Sequence, residues 1–178
     1  MRRIVSILGT ALFLLLAPGT VAVLVPYWIT HWRFESGQMS WLPLRVFGGL
    51  LIAIGAVCLL ESFARFAIKG LGTPAPVFPT QHLVVSGLYR YVRNPMYLAV
   101  LTMIVGQAFL FGNIHLLVYG ASAWLVTNVF VLTYEEPTLR RTFGAEYETF
   151  RANVPRWIPR LTAWQTPSAV SGRNQGDR

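Results

Sequence analysis

The chain has 178 residues, of which 54% are hydrophobic and only 12% are charged. Soluble domains carry roughly 25% charged residues, so the composition excludes an ordinary soluble domain and predicts a single-domain integral membrane protein. The net charge of +8 does not indicate a nucleic-acid partner, because the basic residues flank apolar segments, as they do in membrane proteins.

Four apolar segments have a length that suits a membrane-spanning helix, which needs about 20 residues. They cover residues 4–29, 42–68, 96–111 and 114–134. The polar pair Gly112-Asn113 separates the last two, which predicts a helical hairpin. Arg2 and Arg3 also resemble the basic start of a signal peptide. However, the apolar run that follows them is longer than the usual apolar core of a signal peptide.

The basic residues indicate how the chain is oriented. They lie before the first segment, between the second and third, and after the fourth. They include Arg2, Arg3, Arg65, Lys69, Arg90, Arg93, Arg140, Arg141, Arg151, Arg156 and Arg160. Because basic loops stay on the cytoplasmic side, both termini and the central loop are predicted to be cytoplasmic.

A further helix is predicted after the fourth segment. Glu136 and Pro137 suit its first turn. Its apolar positions form one stripe: Leu139, Phe143, Tyr147, Phe150 and Val154. The predicted fold is therefore an all-α integral membrane protein with four transmembrane helices and a C-terminal cytoplasmic amphipathic helix. Residues 1–164 are predicted to form one membrane domain, and the polar residues 165–178 to be disordered.

Charged and aromatic residues cluster at the start of the third segment. Residues 87–97 read GLYRYVRNPMY and hold two arginines and three tyrosines. Asn94 and Pro95 suit the N-cap and first position of a helix, whose free N–H groups can bind a carboxylate or phosphate. Arg90 and Arg93 have two possible roles, as anchors at the lipid headgroups or as ligand-binding groups.

Glu135 and Glu136 stand at the end of the fourth segment, where the helix dipole disfavours carboxylates. One interpretation has them neutralised by Arg140 and Arg141, one turn along. The other has them binding a cationic or hydroxyl-bearing ligand, close to Arg93. The residues alone leave both interpretations open.

Other polar residues within the segments are predicted to be structural. Glu61 and Arg65 have the spacing of a helical ion pair, and Gln107 is predicted to form a hydrogen bond between helices. The three histidines are scattered and the chain has one cysteine, Cys58, so we predict no metal site.

The motifs in the second half of the chain resemble the isoprenylcysteine carboxyl methyltransferase and phospholipid methyltransferase family. The resemblance covers residues 80–160 and several motifs occur in the expected order. They are LVVSGLYRYVRNPMY at 83–97, Glu135-Glu136, Phe143-Gly144, Glu146-Tyr147 and Val154-Pro155.

The resemblance implies an all-helical membrane enzyme that uses S-adenosylmethionine without a Rossmann fold. By position, the family's cofactor contacts fall on Gln81, His82, Leu83, Val84, Tyr89, Asn94, Pro95, Met96, Tyr97 and Glu135. The ligand's carboxylate suits the N-terminus of the third helix, and its amino group and ribose hydroxyls suit the carboxylate of Glu135.

Two positions differ from the family. Asn94 stands where histidine is common, and asparagine donates a hydrogen bond but carries no charge. Val131 stands where the eukaryotic prenylcysteine enzymes have an arginine that binds the substrate carboxylate. The resemblance therefore predicts methyl transfer and leaves the acceptor open.

The predicted function is a methyltransferase embedded in the lipid bilayer, acting on a lipophilic or small acceptor: an isoprenylcysteine-type carboxylate, an aminolipid or a thiol. Arg93 is predicted to orient the substrates, and Glu136 is the predicted base for an amine or thiol. Two other functions stay open. One is a non-catalytic membrane binding or assembly protein, and the other is a nicotinamide-dependent reductase with a related helical bundle.

Overall fold

The computed structural model describes residues 12–35, 41–65 and 83–165. Within these ranges the regular structure is helical and contains no strand. The predictions for Gln81, His82, the basic N-terminus and residues 166–178 lie outside the described residues. The main helices are α1 (Leu12–Thr30), α2 (Leu42–Arg65), α3 (Pro95–Phe111), α4 (Ile114–Phe130) and α5 (Glu136–Asn153).

Three helical stretches of the described chain are long and apolar enough to cross a membrane. They are α1, α2 and the continuous stretch Ile114–Asn153, with mean hydropathies of 2.0, 2.2 and 1.7. Large apolar side chains cover their outer faces, and Leu15, Val57 and Val126 are 71%, 67% and 69% exposed. Such faces suit contact with lipid, so the prediction of an all-helical integral membrane protein is confirmed.

The most extensive helix contact joins α2 to α3. Gly48 of α2 faces Gly106 of α3, and a Cβ atom on Gly106 would lie 2.7 Å from the Gly48 carbonyl oxygen. Further along, a Cβ atom on Gly55 would lie 2.8 Å from the carbonyl oxygen of Ala99. Small residues therefore let the two backbones touch, which is a common way to pack helices in a membrane.

Helix α1 contains a π-helical turn at Thr20–Leu24, just before Pro26. Proline has no N–H group, so the carbonyl of Ala22 lacks its usual partner four residues later. The side chain of Gln107 supplies one instead, with its Nε2 atom 2.7 Å from that carbonyl oxygen. The prediction that Gln107 joins two helices is confirmed, and this bond attaches α1 to α3.

The predicted break between α3 and α4 is present at Gly112 and Asn113. Gly112 ends α3 in the left-handed conformation, with φ of 73°. Asn113 precedes α4, and its side chain accepts a hydrogen bond from the backbone N–H of His115. This short connection makes α3 and α4 adjacent helices.

Helix α4 continues into α5 through a π-helical turn at Val131–Glu135. Pro137 again explains the irregular turn, because its ring removes one backbone donor. The chain changes direction at Gly144, where φ is 51° and ψ is −124°. The sequence predicted a new helix at Pro137 but not the continuity with α4 or this kink.

Beyond the kink, α5 packs one face against the chain that precedes α3. Tyr147, Phe150 and Val154 are buried there, as members of the predicted apolar stripe. Leu83 and Trp164 pack against the same cluster. This contact brings the end of α5 and the residues after it close to the start of α3.

Candidate active site

A cavity of about 360 Å³ lies where the N-terminus of α3 meets the π-helical turn Val131–Glu135 and the start of α5. Helix α1 closes one side through Phe13, Ala17, Pro18 and Val21. Eight residues predicted for the site line it: Leu83, Val84, Tyr89, Arg93, Asn94, Met96, Tyr97 and Glu135. The volume falls within the range of small-molecule and cofactor sites, roughly 300–1,000 Å³.

Two other predicted site residues lie beside the cavity and do not line it. Pro95 is the first residue of α3 and sets its start. Glu136 follows the lining residue Glu135 but points into an ion-pair cluster.

The cavity's carboxylate, Glu135, is held by Tyr97. The Tyr97 hydroxyl donates a hydrogen bond to Glu135 Oε2 at 3.0 Å, and the two residues are 38 positions apart in the chain. Glu135 is the last residue of the π-helical turn. Turns of this kind often occur at functional sites.

Glu136 is buried between two arginines. Arg93 Nη1 lies 2.9 Å from Glu136 Oε1, and the two side chains are only 10% and 9% exposed. Arg156 makes two further bonds, 2.6 Å from Nε to Oε1 and 3.1 Å from Nη2 to Oε2. Arg93 Nη1 also donates to the hydroxyl of Tyr147 at 3.2 Å.

Glu136 is neutralised by arginines, as one of the two interpretations predicted, but the arginines that bond to it are Arg93 and Arg156 and not Arg140 and Arg141. Arg140 is one turn away but bonds to Glu148 at 2.9 Å on the exposed side of α5. The charge of Glu136 is instead balanced by Arg93 and Arg156, and its bonds raise the pKa of Arg156 above the ordinary arginine value. The catalytic roles assigned to Arg93 and Glu136 stay predictions.

The residues after α5 form a strap, residues 154–164, that crosses the segment before α3. Its backbone bonds run from Arg93 N to Pro155 O, from Arg160 N to Tyr91 O, and from Trp164 N to Arg90 O, each at 2.9 Å. Arg90 Nε also donates to Trp164 O at 2.6 Å. Arg90 therefore holds the strap.

The strap also reaches the helices through Arg156 and Trp157, which the sequence analysis did not select for the site. The Arg156 carbonyl accepts a bond from Asn94 Nδ2 at 3.2 Å. Trp157 Nε1 donates to Asn128 Oδ1 at 2.9 Å, and its ring lies 6.5 Å from that of Tyr97. The only sequence signal for these contacts was the Val154-Pro155 motif beside them.

Asn94 occupies the N-cap position of α3 but makes no side-chain cap hydrogen bond. The Asn94 Nδ2 atom donates to the strap, and the first-turn N–H groups of α3 have no side-chain acceptor from Asn94. Burial raises the pKa of Tyr89, and the nearby Glu135 raises it further, so this hydroxyl stays protonated. The cavity thus combines a carboxylate, phenol hydroxyls, a helix N-terminus and apolar walls.

The sequence model of the Phospholipid methyltransferase family matches residues 44–146 of the chain. The chain belongs to this family. The match spans α2, the segment before α3, α3, α4 and the first half of α5, which together supply most of the cavity. It ends before the strap. The resemblance drawn from the motifs is therefore confirmed.

Two curated relatives agree with the family match. The chain is 36% identical over 136 residues to Protein-S-isoprenylcysteine O-methyltransferase of Schizosaccharomyces pombe, covering 75% of this chain and 54% of the relative. It is 28% identical over 141 residues to Methanethiol S-methyltransferase 2 of Bradyrhizobium diazoefficiens, covering 78% of this chain and 51% of the relative. The chain thus spans about half the length of these relatives.

Proposed function

We propose that this protein is an S-adenosylmethionine-dependent methyltransferase embedded in the membrane. The observation that carries the proposal is the cavity, which gathers predicted cofactor residues from the segment before α3, from α3 and from the π-helical turn. These residues are distant in the chain, and Tyr97 and Glu135 share a hydrogen bond inside the cavity. The named activities of both relatives are methyl transfers.

The chemistry of the cavity fits this cofactor. The first-turn N–H groups of α3, beside Asn94, suit the cofactor's carboxylate. The Glu135 carboxylate suits its amino group or ribose hydroxyls. Leu83 and Val84 offer an apolar wall for its adenine ring. Gln81 and His82 are proposed to complete the contacts. When bound, S-adenosylmethionine supplies a methyl group on a positively charged sulfur.

The residues of the chain are proposed to act by positioning and by excluding water. Apolar side chains make up most of the cavity wall, which favours a reaction that removes charge. Tyr97 fixes the direction of the Glu135 carboxylate. Arg93 lines the cavity and is held by Glu136, so we propose that this pair orients the substrates.

The acceptor decides whether a base is needed. A carboxylate acceptor needs none, whereas an amine or a thiol has to lose a proton. Glu136 is the base proposed from the sequence, but its oxygens already accept three N–H bonds, which stabilise its charged form. Glu135 lines the cavity and accepts a hydrogen bond from Tyr97, and we propose it as the second candidate.

The proposed membrane arrangement has four spans. Helix α3 has 17 residues and is about 25 Å long, so it spans most of a hydrocarbon core of about 30 Å. We propose from the distribution of the basic residues that both termini and the cavity lie on the cytoplasmic side. Residues 1–164 are proposed to form one membrane domain, with α5 along its cytoplasmic face.

The acceptor is proposed to be a lipophilic or small molecule. The names of the relatives give two examples, an isoprenylcysteine and methanethiol. Val131 is 1% exposed, so it packs in the protein and offers no charge at the position where prenylcysteine enzymes have arginine. A carboxylate acceptor would therefore need another cation, and Arg93 is the arginine that lines the cavity.

Calorimetry on the purified protein in detergent tests the proposal. We expect S-adenosylmethionine to bind, NADPH not to bind, and Glu135→Gln to weaken cofactor binding about tenfold through loss of a charged partner. Glu148→Gln is the matched control, because Glu148 is exposed and lies outside the cavity. Binding of NADPH instead would favour the reductase. An unchanged affinity in Glu135→Gln, with lowered stability, would favour the non-catalytic protein.

A further inference from the structure

We infer that Arg156 is a positioning residue for the cavity. It sets the distance between the cavity's two polar walls, which are the N-terminus of α3 and the carboxylate of Glu135. The inference rests on the proposed function, since it concerns binding of the cofactor. It goes beyond the family match, which ends at residue 146, before the strap. Arg156 does not line the cavity, so it must act through its neighbours.

Arg156 contacts both sides of the cavity at once. Its guanidinium makes two bonds to the Glu136 carboxylate, at 2.6 and 3.1 Å, which matches the planar fork of arginine to the two oxygens. Its own carbonyl accepts a bond from Asn94 Nδ2 at 3.2 Å. A single residue therefore connects the start of α5 to the N-terminus of α3.

Those two contacts stand next to the cavity's polar pair in the chain. Asn94 lies one helical turn before Tyr97, and Glu136 directly follows Glu135. The Tyr97–Glu135 bond of 3.0 Å spans the same gap from inside the cavity. Because Arg156 fixes the neighbours of both residues, it fixes the separation of the α3 N-terminus from the Glu135 carboxylate.

Trp157 extends this support to α4. Its Nε1 atom bonds to Asn128, and its ring lies 6.5 Å from the ring of Tyr97 and 6.5 Å from that of Trp124. The peptide 156–157 thus joins α3, α4 and α5 at the site. Residues that support a binding group in this way decide how accurately it is held.

A purely structural role for Arg156 predicts a different result from a positioning role. If Arg156 only stabilised the fold, its loss would lower the fraction of protein able to bind, and the remaining folded protein would keep its affinity. If Arg156 positions the cavity walls, its loss raises the Kd while the number of sites per chain stays the same. Calorimetry measures both quantities in one titration.

The experiment titrates S-adenosylmethionine into the full chain, well below its unfolding temperature, for the wild type and three variants. Arg156→Ala should raise the Kd about tenfold with unchanged site number. The Kd of Arg156→Lys should fall between those of the wild type and Arg156→Ala, because an ammonium group keeps the charge but cannot reproduce the planar fork of arginine. Arg151→Ala is the matched control, because Arg151 is 37% exposed and bonds only weakly, at 3.4 Å, to Glu148.

An Arg156→Ala protein that binds with the wild-type Kd would overturn the inference and leave the proposed function standing. Loss of sites at constant Kd would also overturn it and show a structural role. If Arg156→Ala gives no folded protein, Arg156→Lys decides, and a wild-type Kd there refutes the inference. A wild type that binds no cofactor would refute the proposed function itself, and with it this inference.

Discussion

Replacement of Arg93 by methionine should destabilise the protein by about 3 kcal/mol, because it breaks a buried ion pair. Arg93 and Glu136 are 10% and 9% exposed, so water screens their bond little. Loss of the charged bond costs roughly 1.5–3 kcal/mol, and loss of the bond to Tyr147 about 1 kcal/mol. Glu136 remains paired with Arg156 in this variant. The loss of stability should therefore stay below about 5 kcal/mol, the upper end for a broken buried ion pair.

The chain offers a direct probe for this measurement. Cys58 is its one cysteine, and it packs partly buried against the core cluster of Leu59, Phe63 and Ala99. Thermal unfolding in detergent can be followed by labelling of that thiol, and an SDS titration gives the free energy of unfolding. Both assays report on the membrane-embedded helices and need no ligand.

Arg140→Met is the matched control for this prediction. Arg140 bonds to Glu148 at the same distance of 2.9 Å, but the two side chains are 44% and 52% exposed. An exposed pair of this kind contributes about 0–1 kcal/mol. Equal losses in Arg93→Met and Arg140→Met would refute the argument that burial makes the first pair important.

Gly48→Ala should lower the unfolding temperature, because the new Cβ atom would meet the backbone of α3 at 2.5–2.6 Å, whereas Gly49→Ala, with open space around it, should not. Gln107→Leu should cost about 1–3 kcal/mol in an SDS titration, since a buried carbonyl of α1 loses its donor, and adding Pro26→Ala should recover part of the loss. Gly144→Ala should lower the free energy of unfolding by about 1–3 kcal/mol because of the positive φ at the kink. If this variant unfolds with the same free energy as the wild type, the kink is not retained in solution.

Local patterns in the sequence predicted the features that depend on neighbouring residues. The helix start at Pro95, the break at Gly112 and the ion pair of Glu61 with Arg65 follow from rules that act within a few residues. The apolar stripe of the last helix also predicted that Tyr147 is buried. These features need no knowledge of how the helices pack.

The partners of Glu136 could not be predicted in the same way. The helical spacing rule pointed to Arg140, one turn along, whereas the structure uses Arg93 and Arg156, which lie 43 and 20 positions away. Asn94 also has a distant partner that local rules did not predict, because its Nδ2 atom donates to the Arg156 carbonyl in the strap. Such partners depend on how distant segments of the chain pack.

The irregular turns that precede Pro26 and Pro137 were not predicted. Pro137 lies in the first turn of α5, as predicted, but a π-helical turn joins that helix to α4 without a break. Whether a proline ends a helix or produces such a turn depends on what satisfies the freed carbonyl. That partner comes from the packing of other helices, as Gln107 does for α1.

Transfer of a labelled methyl group tests the central claim most directly. Membranes enriched in the protein are incubated with methyl-labelled S-adenosylmethionine, and the lipid, protein and volatile fractions are counted for the wild type and Glu135→Gln. We predict that the wild type places label in at least one fraction and that Glu135→Gln places much less there. Folded wild-type protein that leaves every fraction at the level of control membranes would contradict the account.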